Sequence, residues 1–512
     1  MGKYMTFDVG TTAIKTCIFG EDLQRIDSST DEYDLITEDG HVELEPEKYW
    51  ETIVKAVRAI GERNDLSDVR SICLTTQGET MIPVTADGKV LNRAVVWLDD
   101  RAGKEAAEIV AVLDEMAKEK DPSGNLSGLS LLFRTTGIPE MNGLVPLAKL
   151  LWFKEQAPEI FEKADKFLLL EDYLIYRLTG RFVTEKSLAT STAWLDLLED
   201  GYWEELLLRL GISPEKLPEA VECGTITGTL TASSGAELGL PETVQVVAGA
   251  MDQITAAIGG GGLSKDVVTA TVGTAMVMTA EVSREKAFSD DAMVVYRGYK
   301  KGQYVLTPYT TTAGVVFKWL KDTVFPADAK EAKAAGKSIY DVLCEMAGTV
   351  PAGAQGVTMI PYFQGSIRPK YVPEAKGIFF GLGLDSGRDV LVRATLEGIG
   401  FMIRENLTML EQYGVHAEKI QFFGGGSKNA VWNQIISDIS SVELVKPCEE
   451  ECASLGAAIL AAVALGDRAS VEEAKACNPV SLRVVPDLSK KPVYDAAYER
   501  YNKIFDAVSS LF

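Results

Sequence analysis

The residues whose types and spacing could do chemistry fall in a few short stretches. Ala248-Gly249-Ala250-Met251-Asp252-Gln253 follows the apolar run Val244 to Val247 and precedes an alanine-rich helical pattern. Asp252 therefore stands at a strand-to-helix junction among small residues. A ligand can reach a carboxylate there, and a helix N-terminus favours its charge. The position suits a proton acceptor and equally a plain N-cap. Asp8-Val9-Gly10-Thr11-Thr12 lies between the strand-like runs Met5 to Phe7 and Ile14 to Phe19. It reads as a hairpin tip offering backbone N–H groups, two hydroxyls and one carboxylate. Such a tip can cradle phosphate oxygens while Asp8 holds a hydrated magnesium ion. An ordinary edge hairpin is the competing reading.

Val272-Gly273-Thr274 repeats Val9-Gly10-Thr11, again between β-branched runs, with Thr271 where the first copy has Asp8. Two such hairpins suggest two related domains facing one nucleotide, with a metal-facing charge on only one of them. Ile420 to Phe423 reads as a strand delivering Gly424-Gly425-Gly426-Ser427-Lys428-Asn429 to a helix. Glycines at that junction let a flat base or a phosphate approach the backbone. The run Gly259 to Gly262 precedes a strand and lacks Gly-Lys-Ser/Thr, so it reads as a turn.

Further candidates lie where strands end. Thr75-Thr76-Gln77-Gly78-Glu79-Thr80 follows the strand-like Val69 to Leu74, and is a site loop or a plain β-turn. Ala94 to Arg101 runs into Trp97, Asp99, Asp100 and Arg101. An indole packs on the C–H faces of a sugar while carboxylates and a guanidinium bond its hydroxyls. Asp99 or Asp100 also suits as N-cap of a helix from Arg101 to Ala117. A helix from Pro146 to Lys154 carries Lys149 and Trp152. Thr184 to Asp196 is hydroxyl-rich, and is a loop over a site or a buried turn.

The elements that must position these groups alternate strand with helix, so the class is α/β. A helix opening at Pro46 buries Trp50, Ile53, Val57 and Ile60 at helical spacing. A long helix runs from Asp389, and the amphipathic Tyr494 to Leu511 closes a domain. With 512 residues the chain exceeds one core, so two domains are expected. The boundary is placed near Val246: residues 1–246 carry the sugar side and the first hairpin, 247–485 the nucleotide side, and 486–512 the last helix. The net charge of −23, from 51 basic and 74 acidic residues, disfavours nucleic acid as a partner. Phosphates must then be neutralised locally, by metal and backbone dipoles. No apolar run reaches a membrane-spanning length, and the N-terminus enters a strand with no signal peptide. Seven scattered cysteines fit a reducing cytoplasm. The only histidines, His41 in a loop-like stretch and His416 after a helix end, read as surface residues, so a general base would be a carboxylate.

In order and spacing these motifs resemble those of FGGY-family carbohydrate kinases, members of the actin-like ATPase superfamily, over essentially the whole length. Asp8 to Thr12 resembles the first phosphate motif, Val272 to Thr274 the second, and Gly424 to Asn429 the adenosine motif. Gly377 to Leu382 with Glu397-Gly398-Ile399 resembles one family signature. Pro146 to Trp152 resembles the other, with Leu144 departing at its first position. The resemblance implies two ribonuclease-H-like domains with a central cleft that close over MgATP and a small sugar or polyol. It implies that Asp252 accepts the proton of the attacking hydroxyl, Gln253 orients the substrate and Asp8 holds the metal through water. Gly10, Thr11, Thr12, Gly273 and Thr274 would cradle phosphates, with Lys15 facing them. Gly314, Gly425, Gly426, Ser427 and Asn429 would contact the nucleotide. Homodimers are common in the family.

For the acceptor, Gln77, Gly78, Glu79, Trp97, Asp99 and Arg101 are the candidates. The stretches Trp97-x-Asp99-x-Arg101, Met141 to Trp152 and Ala193 to Asp196 are similar to xylulokinases. Those enzymes carry Gln-Met-His-Gly, and glycerol kinases Gln-Arg-Glu-Thr, where this chain has Gln77-Gly78-Glu79-Thr80. Glycine at 78 is expected to leave more room. The resemblance implies ATP-dependent phosphorylation of a terminal hydroxyl, with D-xylulose as the first acceptor. Another ketose or polyol (ribulose, erythritol, glycerol) is the alternative, and an actin-like ATPase without kinase activity is the reading from another class.

Overall fold

The computed structural model describes residues 2–264, 266–289, 293–366 and 371–512. The chain forms two compact units. The first takes the chain up to Gly259 and adds Ser283–Leu306 and Glu451–Cys477; the second comprises Gly260–Val282, Thr307–Glu450 and Asn478–Phe512. The boundary expected near Val246 thus falls inside the first unit. The reason is a backbone-to-backbone contact. Helix Asp252–Gly259 packs on helix Cys452–Ala464, which returns to the first unit from far along the chain. A Cβ on Gly456 would lie 1.9 Å from the Thr255 carbonyl oxygen, and one on Gly259 2.0 Å from that of Cys452. Only glycine permits so close an approach.

The first unit is built on a six-stranded sheet. Its order is Ile226–Thr229, Gln245–Val247, Val69–Thr76, Lys3–Val9, Ala13–Phe19 and Arg25–Glu32. Lys3–Val9 and Ala13–Phe19 form the expected antiparallel hairpin, while Val69–Thr76 runs parallel to both its neighbours. Helix Pro46–Gly61 lies on this sheet. It starts with proline in its first turn, where a missing N–H costs nothing, and buries Trp50, Ile53, Val57 and Ile60 against Phe7, Ile14, Ile18, Ile72 and Val246. His41 is not in a loop: it opens strand His41–Leu44 of a second sheet and is half-buried. Ala193 to Asp196 is a buried turn leading into a short strand, with Trp194 only 2% exposed.

The second unit repeats the plan. Strands Met276–Val282 and Val267–Val272 form a hairpin, Lys419–Phe423 and Glu443–Pro447 continue parallel, and Val480–Val484 closes the edge antiparallel. Hairpin, two parallel strands and an outer antiparallel strand is the order of the first unit as well. The 25-residue helix Arg388–Gln412 is buried along most of its length. Helix Lys491–Val508 closes this unit against it, through Arg393 to the Tyr494 hydroxyl (2.7 Å), Arg404 to Asp495 (2.6 Å) and packing of Phe401 on Tyr501. Among the described residues no helix is long and apolar enough to cross a membrane.

Gly456→Ala places a methyl group against the Thr255 carbonyl. A stability loss of roughly 1–3 kcal/mol, the range for overpacking, is expected in denaturant melts. An unchanged midpoint would show that the two helices do not meet there.

Candidate functional site

Asp252 is the first residue of its helix, as the strand-to-helix reading expects. It is partly exposed. Its carboxyl is pushed up to about 7, by burial first and then by the Asp8 carboxylate, while Gln253 opposes the shift. Asp8 lies near the end of the first hairpin strand and is also partly exposed. Burial raises it to about 6 against the pull of Lys15, its cross-strand partner. The Asp8 carboxylate raises Asp252, and Glu451 adds to the rise at Asp8; crowded negative charge of this kind suits a hydrated divalent cation. Among the described residues no three Asp, Glu, His or Cys side chains converge as a metal cage. A magnesium ion here would take its remaining ligands from water and phosphate. The Lys15 ammonium bonds Glu451 in an ion pair, so its charge is already matched within the unit.

The hairpin tip is braced from below. The Gly10 N–H closes the turn on the Ala13 carbonyl (3.0 Å), and the Tyr33 hydroxyl bonds the Gly10 carbonyl. The Gly10 amide is therefore spent within the turn, contrary to its expected place in a phosphate cradle. Thr11 and the exposed Thr12 remain at the tip. The Trp97 indole N–H donates to the Thr11 hydroxyl at 3.0 Å. The tryptophan expected to face a sugar and the threonine expected to face phosphate are thus bonded to each other.

Around the acceptor turn the structure departs from expectation in several ways. Asp99 is fully buried and caps no helix. Its carboxylate accepts from the Val42 amide (2.6 Å), the Arg101 amide (3.1 Å), Arg101 Nε (2.7 Å) and Arg101 Nη2 (2.6 Å). The helix begins later, at Gly103, with Ala102 before it. With its lone pairs committed, Asp99 orients Arg101 and is not open to a sugar hydroxyl. Arg101 also bonds Glu43 at 2.8 Å and stacks over Trp152. Gln77 is 5% exposed, its amide on the Val9 carbonyl (2.9 Å) and its Nε2 toward the Tyr49 hydroxyl (3.4 Å). Gly78 leaves about a methyl group's space: a Cβ there would sit 3.3 Å from Ser191 Oγ, with Met251 and Leu188 in ordinary contact behind.

Glu79 has φ of 69° and is partly exposed. Burial raises its carboxyl and the nearby Lys149 lowers it, while burial lowers the Lys149 ammonium. Lys149 is 0% exposed, and its Nζ donates to the carbonyls of Val96 (3.0 Å), Glu79 (3.5 Å) and Trp97 (3.5 Å). It ties the 77–80 turn to the 96–101 loop. Sequence reasoning placed Lys149 on its helix without giving it this part; its position inside the Pro146 to Trp152 signature was the available signal. Tyr33 and Tyr49 were missed outright, because nothing local distinguishes them from core aromatics.

In the second unit the tip Gly273-Thr274 is exposed. The Gly273 N–H closes on the Ala275 carbonyl (2.9 Å), as Gly10 does in the first copy. Helix Gly314–Val324 is bolted to this tip: Gly314 N–H bonds the Gly273 carbonyl (2.9 Å), and the amides of Ala313 (3.0 Å) and Val315 (3.2 Å) bond that of Thr274. A Cβ at 314 would fall 2.2 Å from the Gly273 carbonyl oxygen, so glycine is required. A cavity of about 530 Å³ opens beside the tip, walled by Gly273, Thr274, Gly314, Phe317, Tyr340, Gly425, Gly426, Asn429 and Trp432. Aromatic walls and bare glycine backbone suit a flat heterocycle. Ser427 does not line it; that residue is buried and its hydroxyl donates to the Gly424 carbonyl at 2.9 Å. The Asn429 side chain caps the next helix through the amides of Val431 and Trp432 and donates to Asp341.

A raised carboxyl in the first unit, a threonine-bearing tip in each unit and a cavity walled by aromatics and glycine in the second are parts that phosphoryl transfer can use. Residues 3–259 match the N-terminal domain of the FGGY family of carbohydrate kinases and residues 268–465 match its C-terminal domain, so the chain belongs to that family. It is a sugar kinase. A xylulose kinase of Escherichia coli is 27% identical across 99% of each chain. A gluconokinase of Bacillus licheniformis is 27% identical across 91% of this chain and 88% of its own. The crystal structure of a ligand-bound xylulose kinase from Lactobacillus acidophilus superposes with a TM-score of 0.85 at 25% identity, covering 99% of both chains.

The raised carboxyls have a stability signature. Asp252 binds its proton more tightly folded than unfolded, so its contribution is fully present below about pH 4 and is lost as pH rises through about 7. Asp252→Asn is expected to melt above the wild type at about pH 8 and level with it near pH 4, the unfolded carboxyl range. An offset equal at both pH values would remove the charge crowding from the site.

Proposed function

We propose that this chain transfers the γ-phosphoryl group of ATP to a terminal hydroxyl of a small neutral sugar, D-xylulose, giving D-xylulose 5-phosphate and ADP. The observation that carries the reading is Asp252, partly exposed at a helix start with its carboxyl near 7. A base of that strength can take a hydroxyl proton at neutral pH. In this reading the acceptor hydroxyl gives its proton to Asp252 as its oxygen attacks the γ-phosphorus, and Gln253 orients the acceptor. Asp8 holds a magnesium ion through water, and that ion, when bound, neutralises phosphate charge. Thr11, Thr12 and Thr274 offer hydroxyls to phosphate oxygens, and the aromatic cavity of the second unit takes adenosine.

The charge balance favours a neutral acceptor over an aldonate. Asp8, Glu79 and Asp252 are partly exposed. Three cations among the candidate site residues and their neighbours are engaged: Lys15 with Glu451, Arg101 with Asp99 and Glu43, Lys149 with backbone carbonyls. A substrate carboxylate would meet negative charge without a ready partner. The xylulose kinases among the relatives support the same choice. ADP release with D-xylulose, D-ribulose, erythritol, glycerol and D-gluconate tests it. D-xylulose is expected to rank first in kcat/KM, and D-gluconate ranking first would overturn the reading.

Asp252→Ala should lower kcat by about 10²–10⁴, the span of general-base contributions, while nucleotide affinity stays close to wild type. Turnover near the wild-type rate would take the base role from Asp252.

A further inference from the structure

The base itself is not the only part of its loop held by side chains. Each of the three residues before Asp252 has a backbone polar group bonded by a different fully buried side chain. Glu171 Oε1 accepts from the Gly249 amide at 2.9 Å. The Thr75 hydroxyl donates to the Ala250 carbonyl at 2.8 Å. Ser187 Oγ accepts from the Met251 amide at 3.0 Å. All three are 0% exposed, and they come from three separate elements: helix Leu170–Thr179, strand Val69–Thr76 and helix Lys186–Ala189. The restraint continues past the base. With the Thr75 proton on the Ala250 carbonyl, the Thr255 hydroxyl donates to Thr75 at 2.6 Å, which ties the helix after the base to the same strand. Ser187 is in turn anchored by donating to Glu185 Oε1 at 3.0 Å.

We propose that Thr75, Glu171 and Ser187 form a three-point clamp on residues 249–251 and act as positioning residues for Asp252. None of Gly249, Ala250 and Met251 has a side chain that can hydrogen-bond the loop's own backbone strongly, so its backbone polar groups are met from outside. A general base must hold its carboxyl within hydrogen-bond reach of one hydroxyl, and sub-ångström drift there costs rate more than binding. The clamp bonds backbone groups only, so it fixes the carboxyl without neutralising it. This inference rests on Asp252 being the base.

The test uses Thr75→Val, which is close to isosteric, and Ser187→Ala, each deleting one point. Steady-state kinetics, thermal melts and a pH profile of kcat/KM are read on both. The groups facing Asp252 are Asp8 and Glu79, with Lys15 and Glu451 behind Asp8; Glu171 and Glu185 lie behind the loop. A loosened loop admits water to the carboxyl, so the acidic limb is expected to move to lower pH than in the wild type. The kcat is expected to fall about tenfold or more, with the acceptor KM and nucleotide affinity within about twofold, the split expected when only transition-state interactions weaken. If Ser187→Ala does not fold, Thr75→Val carries the test alone. Variants that melt lower yet keep kcat and the acidic limb would overturn the clamp. Asp252→Ala separates the two failures: if it retains turnover, the base assignment falls; if it is inactive while the clamp variants are unaffected, only the clamp falls.

Discussion

The crowding of negative charge around Asp252 is the constraint on which the rest of the first unit turns. A carboxyl near 7 beside another near 6 is an arrangement that folding alone would not favour, since burial raises both and the Asp8 carboxylate raises Asp252 further. It persists because the surrounding fold over-determines it. The helix of Asp252 is pressed against Cys452–Ala464 at glycine contacts too close for any side chain, and the preceding loop is bonded from three sides. Charge for charge, the unit could be more stable; the base role proposed for Asp252 needs a carboxyl raised in this way.

The two units share a strand plan but not a task. Both hairpins spend their glycine amide on the turn itself, Gly10 on Ala13 and Gly273 on Ala275. What differs is the flanking residue. Asp8 puts a carboxylate beside the first tip, whereas Thr271 leaves the second uncharged. The first tip is braced by tyrosine and tryptophan hydroxyl and indole contacts, the second by the start of a helix. A duplicated scaffold has thereby become one unit equipped for charge and proton handling and another with a bare, aromatic-walled cavity.

The hairpins, the place of Asp252 at a helix start, the long helices and the α/β class were legible because each rests on a local pattern: β-branched runs about a turn, a strand ending in glycine and alanine ahead of an acid, apolar residues at helical spacing. Tertiary relations were not. Asp99 looked like a helix cap or a sugar ligand, yet four donors from distant and adjacent backbone and Arg101 consume it. Gly78 looked like vacated space, and Ser191, Met251 and Leu188 bound that space at about the size of one methyl group. The unit boundary was misplaced by one helix because the partner of that helix lies some two hundred residues away along the chain. Lys149 carried a visible signal in its signature but its three carbonyl partners belong to two other loops. In each case local chemistry named the residue correctly and long-range packing decided what it was free to do.

The bond from Trp97 to Thr11 shows how far that packing reaches into function. The Thr11 oxygen accepts the indole N–H at 3.0 Å. Accepting one hydrogen bond polarises the hydroxyl as a donor, so its proton is best offered to an anionic oxygen and its oxygen is less available to a metal. The same Trp97 has its backbone amide toward the Thr80 hydroxyl (3.3 Å) and its carbonyl on Lys149 (3.5 Å). The first hairpin tip, the 77–80 turn and the buried lysine are therefore one hydrogen-bonded piece within the first unit. Displacement of the 77–80 turn would be felt at the hairpin tip through two bonds, without any further machinery.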